Sequence, residues 1–293
     1  MIVGDNRRLE RIKSILACPK CGDGLDFRVG AANCLACATS YPLRGGKIYF
    51  VDVPDRSDEL DNIKGRLKRR LGKFYYRVGV NVLAPTFPFN YGREIRRHLD
   101  PSRQIVVDAG CGNHRLDEDI ICVDLFDYDA VDVVCDLASL PFKADSVDAF
   151  VTRSVLEHVP NPVAVVRGFY RCSRPGGIGL HLIPFLYPFH ASPHDFHRYT
   201  HKGLEILFGD WEILSQRNIT GPVTLALVCG IEFFSTLFSF GREKAKAYAY
   251  LLLCVLLFPL KYLDVLFVGR RMFLSLAPTI LTVVRKQDGK PAA

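Results

Sequence analysis

Several features that would place this chain quickly are missing from it. The first fourteen residues, MIVGDNRRLERIKS, hold no apolar run, so no secretory signal peptide is expected. Acidic residues number 31 against 38 basic ones, and the net charge of +7 hints at an anionic partner, nucleic acid or membrane surface. The apolar share is not lacking: at 49% it is ample for a core, which argues against disorder. The length of 293 residues gives room for one large domain with a small one, or for two domains. No apolar stretch runs unbroken for the ~20 residues that a membrane-spanning helix needs.

A helix is missing too. The stretch VVDAGCGNHRLDEDIICVDLF, residues 106–126, reads as a strand, a glycine turn and a second strand ending in Asp124. Too few residues separate the strands for the usual three-turn crossover. A dinucleotide fingerprint would also need a third glycine at position 115, where this chain has arginine, and a helix N-terminus aimed at the phosphates. The stretch therefore argues against NAD. It does not disfavour S-adenosylmethionine (SAM), a ligand without phosphate that carries a sulfonium, an amino-acid end and a ribose.

Ten cysteines are present, and four have metal spacing. Cys18-x2-Cys21 and Cys34-x2-Cys37 would supply four thiolates in a closed tetrahedron, which suits structural zinc. Four unrelated buried cysteines, or a redox pair, are the competing readings. So short a ribbon is expected to depend on its metal for folding. Cys111, Cys122, Cys135, Cys172, Cys229 and Cys254 are scattered through apparent core segments and fit free buried thiols. Together these point to a reducing compartment, most simply the cytosol. With the following YPLRGGKIYFV, the paired motifs resemble the Trm112-like family, whose members bind and stabilise methyltransferases. The resemblance covers roughly residues 14–53.

A charged connector follows, with NIKGRLKRRLGKFYYR at its centre. It reads as a solvated linker helix, as a basic amphipathic face for anionic lipid, or as an RNA contact.

Later strands continue the pattern: AVDVVCDLASLPF ends a strand at Asp136, SVDAFVTRSVLEHVPNP runs from strand to helix, and RCSRPGGIGLHLIPF turns into a fifth strand. From residue 92 to about 220 the chain resembles the class I SAM-dependent methyltransferases, in the branch with Asp-x-Gly-x-Gly, Leu-Pro-Phe, Leu-Glu-His and Arg-Pro-Gly-Gly motifs. The resemblance implies that Asp108 and the backbone of Gly110, Cys111 and Gly112 hold the methionine end of SAM. It implies that Asp124, with Leu125 beside it, accepts the ribose hydroxyls. Asp136 would accept the adenine amine with Leu137 against the ring, and Arg153 and Ser154 would border the methyl group.

The segment PFLYPFHASPHDFHRYTHKG packs His190, His194, Asp195, His197, Arg198, Tyr199 and His201 into one loop beyond the fifth strand, where α/β folds place their chemistry. Substrate recognition with a general base drawn from His158, His194 or Asp195 is the favoured reading. A structural network and a second metal site are the alternatives.

Between an expected sixth strand (211–218) and seventh (279–284) lie two apolar segments, broken by Glu232 and by Pro259, Lys261 and Asp264. They read as helices lying in the membrane interface with basic flanks, as a spanning hairpin, or as a buried core or dimer interface. The expectation is an α/β fold: a Rossmann-like, seven-stranded class I methyltransferase sheet with an N-terminal zinc ribbon (12–54), a basic linker (55–90), the catalytic domain (91–221 and 277–287) and a hydrophobic helical hairpin inserted between the last two strands (222–276). The leading function is a methyltransferase peripheral or monotopic on the cytoplasmic membrane face, acting on a lipid or lipid-linked acceptor. An RNA methyltransferase and a non-enzymatic SAM-binding scaffold are the alternatives, and nucleic acid is not favoured because it gives the apolar hairpin no role.

Overall fold

Local sequence signals set where the helices begin. The computed structural model describes residues 3–54, 82–190 and 194–287, and most of the expected basic linker lies outside them. Helix α1 (Val3–Ile15) opens the chain and is followed by four short antiparallel strands, β1 (Leu25–Arg28), β2 (Ala31–Cys34), β3 (Ser40–Arg44) and β4 (Lys47–Tyr49). Helix α2 (Tyr91–His98) starts where the Asn90 side chain accepts from the backbone of Arg93, and Arg96, Arg97 and His98 favour its C-terminal dipole end. Strands β5 (Val106–Ala109), β6 (Ile121–Asp124), β7 (Val133–Val134) and β8 (Val147–Arg153) come next. Helix α3 (Pro162–Cys172) has Pro162 in its first turn and Asn161 as its cap. Strand β9 (Ser173–Pro184), helix α4 (His201–Leu207) and strand β10 (Trp211–Asn218) lead to the insertion, after which β11 (Thr279–Lys286) completes the sheet.

The strand order is β1-β2-β3-β4-β7-β6-β5-β8-β9-β11-β10. Neighbours from β4 to β9 are parallel, while β11 lies antiparallel between β9 and β10. Seven strands run from β7 to β10 in that order, and the four strands of the N-terminal module extend them into one mixed sheet of eleven. The reason lies at β7, a two-residue edge with unpaired backbone groups. Strand β4 covers it, with Phe50 N donating to Val134 O at 2.8 Å.

Strands β5 and β6 are buried on both faces, as unbroken apolar runs in parallel sheets require. On one face Tyr91, Ile95 and Leu99 pack against Val106, Ala149, Val151 and Leu281. On the other, Ile12, Ile15 and Leu16 join Val165, Val166 and Phe169 over Val107, Ile121, Val123 and Phe150. Of the six scattered cysteines, five are buried and Cys229 is exposed, which corrects one of the expected core positions.

No helix forms between β5 and β6. Arg115, at the place of the missing third glycine, ties the connection down instead. Its guanidinium donates to Ile120 O (2.7 Å), Ala130 O (2.6 Å) and both oxygens of the buried Asp132 (2.8 and 3.0 Å). From α1, Arg11 reaches the carbonyls of Pro101, Gln104 and Asp119 near the starts of these strands.

The insertion consists of α5 (Pro222–Leu237), α6 (Glu243–Leu257) and two 3-10 segments, Phe258–Leu266 and Arg271–Leu276. Lys261 and Asp264, which break the apolar pattern in the sequence, turn inward and are fully buried. Asp264 caps α5, accepting from Gly221 N (3.0 Å), Val223 N (2.9 Å) and Thr224 N (2.8 Å). Lys261 Nζ donates to Val82 O and Ala84 O, both at 2.7 Å. Glu232 pairs with Lys246 across the two helices at 2.6 Å.

Candidate active site

The carboxyl ends of β5, β6, β7 and β8 bring the sequence-predicted SAM residues to one rim. Asp108 ends β5 and is fully buried. Its Oδ2 meets Arg153 at 3.2 Å, and its Oδ1 has no hydrogen-bond partner. Burial pushes this carboxyl up to about 6, with Arg153 opposing the shift. The turn after it needs glycine: Gly110 has φ +77°, and a Cβ there would lie 2.4 Å from Val155. Gly112, at φ +60°, donates its N–H to Asp124 Oδ2 at 2.8 Å, while Phe126 N donates to Oδ1 at 3.0 Å. The glycine turn and the end of β6 are thereby locked together.

Cys111 and Leu137 are buried, Leu125 is half-buried and Asp136 is exposed. Asp136 caps the short 3-10 turn after β7, accepting from Ala138 N at 2.9 Å. Arg153 turns back over the glycine loop, reaching His114 O at 3.1 Å and Cys111 O at 3.3 Å. Its guanidinium therefore lies over the glycine turn. Ser154 has φ +53°, a strained value for a side-chain-bearing residue, and its position at the end of β8 makes that strain a functional pointer.

These residues fit SAM on the structure's own terms. Asp108 Oδ1 is buried without a partner in the chain and suits a donor such as the ligand's ammonium, the turn at Gly112 leaves open space, and Asp124 adds a second carboxylate across the turn.

The three expected catalytic residues fall in one cluster, with different partners from those a shared base role needs. His158 Nδ1 bonds the carbonyl of His194, whose own ring stands exposed beside Phe196 at 5.6 Å. Asp195 forms a bidentate pair with Arg198 and accepts from His190 N at 2.9 Å. Despite its burial, those bonds hold its carboxyl below the usual range. Arg198 also donates to the carbonyls of Tyr187 and Pro188 at 3.0 Å, so this pair fixes the loop.

Sequence reasoning missed Glu157 and the place of His190. Glu157 is fully buried, neither carboxylate oxygen has a hydrogen bond of normal geometry, and burial pushes its carboxyl up to about 7. The Leu-Glu-His motif contained it, but its meeting with His190 depends on how the loop folds back.

At the ribbon, the sulfurs of Cys18 and Cys37 stand 3.6 Å apart and those of Cys21 and Cys34 3.3 Å apart. All four lie within 4.8 Å of one another. The edge of a tetrahedral zinc-thiolate site is roughly 3.8 Å, from Zn–S bonds of about 2.3 Å, so the set fits the metal. Cys37 N points at Cys34 Sγ at 3.4 Å, satisfying part of its charge.

Residues 99–180 match the family described as a methyltransferase domain. No curated protein matches the sequence. Among solved structures, the chain is similar to phosphoethanolamine N-methyltransferase 2 of Haemonchus contortus in complex with S-adenosyl-L-methionine, at 15% identity and a TM-score of 0.45, over 68% of this chain and 52% of that one. It is also similar to the 1,6-didemethyltoxoflavin-N1-methyltransferase of Burkholderia thailandensis, at 15% identity and a TM-score of 0.41, over 87% of this chain and 98% of that one. With Asp108, Gly110, Gly112 and Asp124 assembled inside the matched segment, the chain carries a methyltransferase domain and is a SAM-dependent methyltransferase.

Proposed function

We propose that this enzyme works on the cytoplasmic face of a membrane and transfers the methyl group to a lipid or lipid-linked acceptor. One observation carries the proposal. Most exposed large apolar side chains among the described residues fall between Phe233 and Leu276, including Phe240, Leu252, Leu256, Val265 and Met272. A patch of this kind on a soluble monomer calls for a partner surface. The polar residues that interrupt the apolar pattern are spent internally, in the Asp264 cap, the Lys261 contacts and the Glu232–Lys246 pair.

The residues Glu243–Leu266 have the length and hydropathy of a membrane span, and only 17% of an apolar 18-residue window within them is buried. Its last part nevertheless bends back to cap α5, which favours a hairpin lying in the headgroup interface. Basic Arg242, Lys244, Arg270 and Arg271 are exposed at its ends, suited to anionic lipid.

In this reading Asp108, Asp124 and Asp136 would hold SAM, which would supply an electrophilic methyl group for transfer to a nucleophilic atom of the acceptor. The chain's contribution is alignment and exclusion of water. His158 and His194 border the acceptor, while Asp195 positions the loop through Arg198. The N-terminal module is a Trm112-like ribbon holding structural zinc, and through β4 it supports the sheet edge beside β7, within the same chain as the enzyme.

Co-sedimentation with vesicles containing anionic lipid tests the membrane reading. Each of the exposed side chains Leu252, Leu256, Val265 and Phe240 contributes about 1 kcal/mol on burial in lipid. Replacing all four with Ser should weaken binding by roughly 10³-fold, and high salt should weaken wild-type binding without abolishing it. A protein that ignores vesicles and dimerises through this face would refute the proposal.

A further inference from the structure

We propose that Glu157, His158 and His190 form a second metal site, for a divalent transition cation of the zinc type, separate from the four cysteines. Nε2 of His158 and Nε2 of His190 approach the same carboxylate oxygen, Glu157 Oε1, at 3.7 and 3.8 Å. The two rings stand edge to face, 5.0 Å between centroids. The three ligand atoms lie within 4.8 Å of one another.

Hydrogen bonding on the far side of each ring decides what these nitrogens present. His158 Nδ1 bonds the carbonyl of His194, which only accepts, so Nδ1 carries a proton and Nε2 is the ring atom turned to Glu157. His190 Nδ1 faces two further acceptors, Pro188 O at 3.3 Å and Asp195 Oδ2 at 3.5 Å. Arg198 Nη2 also comes within 3.3 Å of that nitrogen, but its two hydrogens are already given to Pro188 O and Asp195 Oδ2. Both imidazoles therefore turn Nε2 to Glu157, with carbonyl and carboxylate groups behind Nδ1, the outer-shell pattern of metal-bound histidine.

Two Nε2 atoms then converge on a fully buried carboxyl group whose oxygens have no normal hydrogen bond. Such a set needs positive charge within it, a proton or a metal cation, and a bound metal would displace the proton. A metal at roughly 2.1 Å from each ligand would need tetrahedral ligand separations of roughly 3.4 Å, so each nitrogen would close on Glu157 Oε1 by a few tenths of an ångström from 3.7 and 3.8 Å.

Two histidines and one carboxylate leave coordination positions open, unlike the closed ribbon set. His190 is the most exposed of the three, so solvent and ligands reach the set from its side. A cation there would ligate an oxygen of the methyl acceptor. The inference stands whether that acceptor is lipid or not.

The test is a cobalt(II) titration of the full-length protein whose ribbon is loaded with zinc. The expected result is one further equivalent, with d–d absorption and no thiolate charge transfer, lost in Glu157→Gln and in His190→Asn. Cobalt should raise the melting temperature of the wild type and leave that of both variants unmoved. If a variant fails to fold, the wild-type spectrum decides: nitrogen and oxygen ligation supports the site, and absorption of thiolate type alone overturns it. A second equivalent retained in both folded variants also overturns it.

Discussion

Removing Arg115 should show whether a side chain has replaced the crossover helix between β5 and β6. The guanidinium makes four hydrogen bonds, two of them to Asp132, and the pair is largely buried, with side-chain exposures of 15% and 8%. Breaking a buried ion pair from one side typically costs about 3–5 kcal/mol, because the remaining charge is stranded. Asp132 keeps some compensation here: Arg8 Nε lies 3.2 Å away and Cys122 N donates at 2.8 Å. Arg115→Met is therefore expected to lower unfolding stability by about 2–4 kcal/mol, read by urea denaturation. Asp132→Asn keeps an acceptor for Cys122 N while removing the charge, and the double variant should recover at least about 1 kcal/mol relative to the sum of the singles. Since the connection carries Gly110 and Gly112, Arg115→Met should also weaken SAM binding by about tenfold in calorimetry. A loss under about 1 kcal/mol, strict additivity and unchanged SAM affinity would together refute the clamp.

Asp124→Ala removes the acceptor for Gly112 N as well as the expected ribose contact, and SAM affinity should fall by about 2–4 kcal/mol; unchanged calorimetric affinity would count against the site. Metal analysis should find zinc held by the ribbon and lost in Cys18→Ser with Cys34→Ser, and the loss should lower the melting temperature of the whole enzyme because β4 covers the β7 edge. His181 is buried between Phe169 and Phe208, and desolvation holds its imidazole down at about 3. Its folded pKa lies below the unfolded value of about 6.5, so its contribution is complete above pH 6.5. It is lost as pH falls towards 3, by up to about 1.4 kcal/mol per pH unit. His181→Asn should flatten that part of the stability profile, and an unchanged slope would place the titration elsewhere.

The glycine turn, the acidic strand ends and the four cysteines were legible in the sequence because each depends on local geometry or fixed spacing. Gly110 must be glycine for a φ of +77° against Val155, and Asp108 and Asp124 are set by the strands they end. The missing crossover helix was legible as well, since too few residues lie between the strands to form one. Its replacement was not: Arg115 and Asp132 are far enough apart in sequence that only the folded connection brings them together.

The same limit applies to Lys261 and Asp264. In sequence they interrupt an apolar segment, and period and composition assign them no direction. Only the packed insertion turns them inward, where Asp264 satisfies the orphan N–H groups of α5 and the surface left outside is apolar. Glu157 and His190 meet for a similar reason, through a loop whose path is fixed by the Asp195–Arg198 pair. The sequence by itself determined a run of parallel strands with a glycine turn and a four-cysteine motif, since local geometry and spacing suffice for both. Tertiary structure alone decided that the ribbon joins the sheet through β4, and that charged residues of the insertion face the core. Both outcomes depend on backbone groups distant in the chain, which pair only once the edges and helix ends are in place.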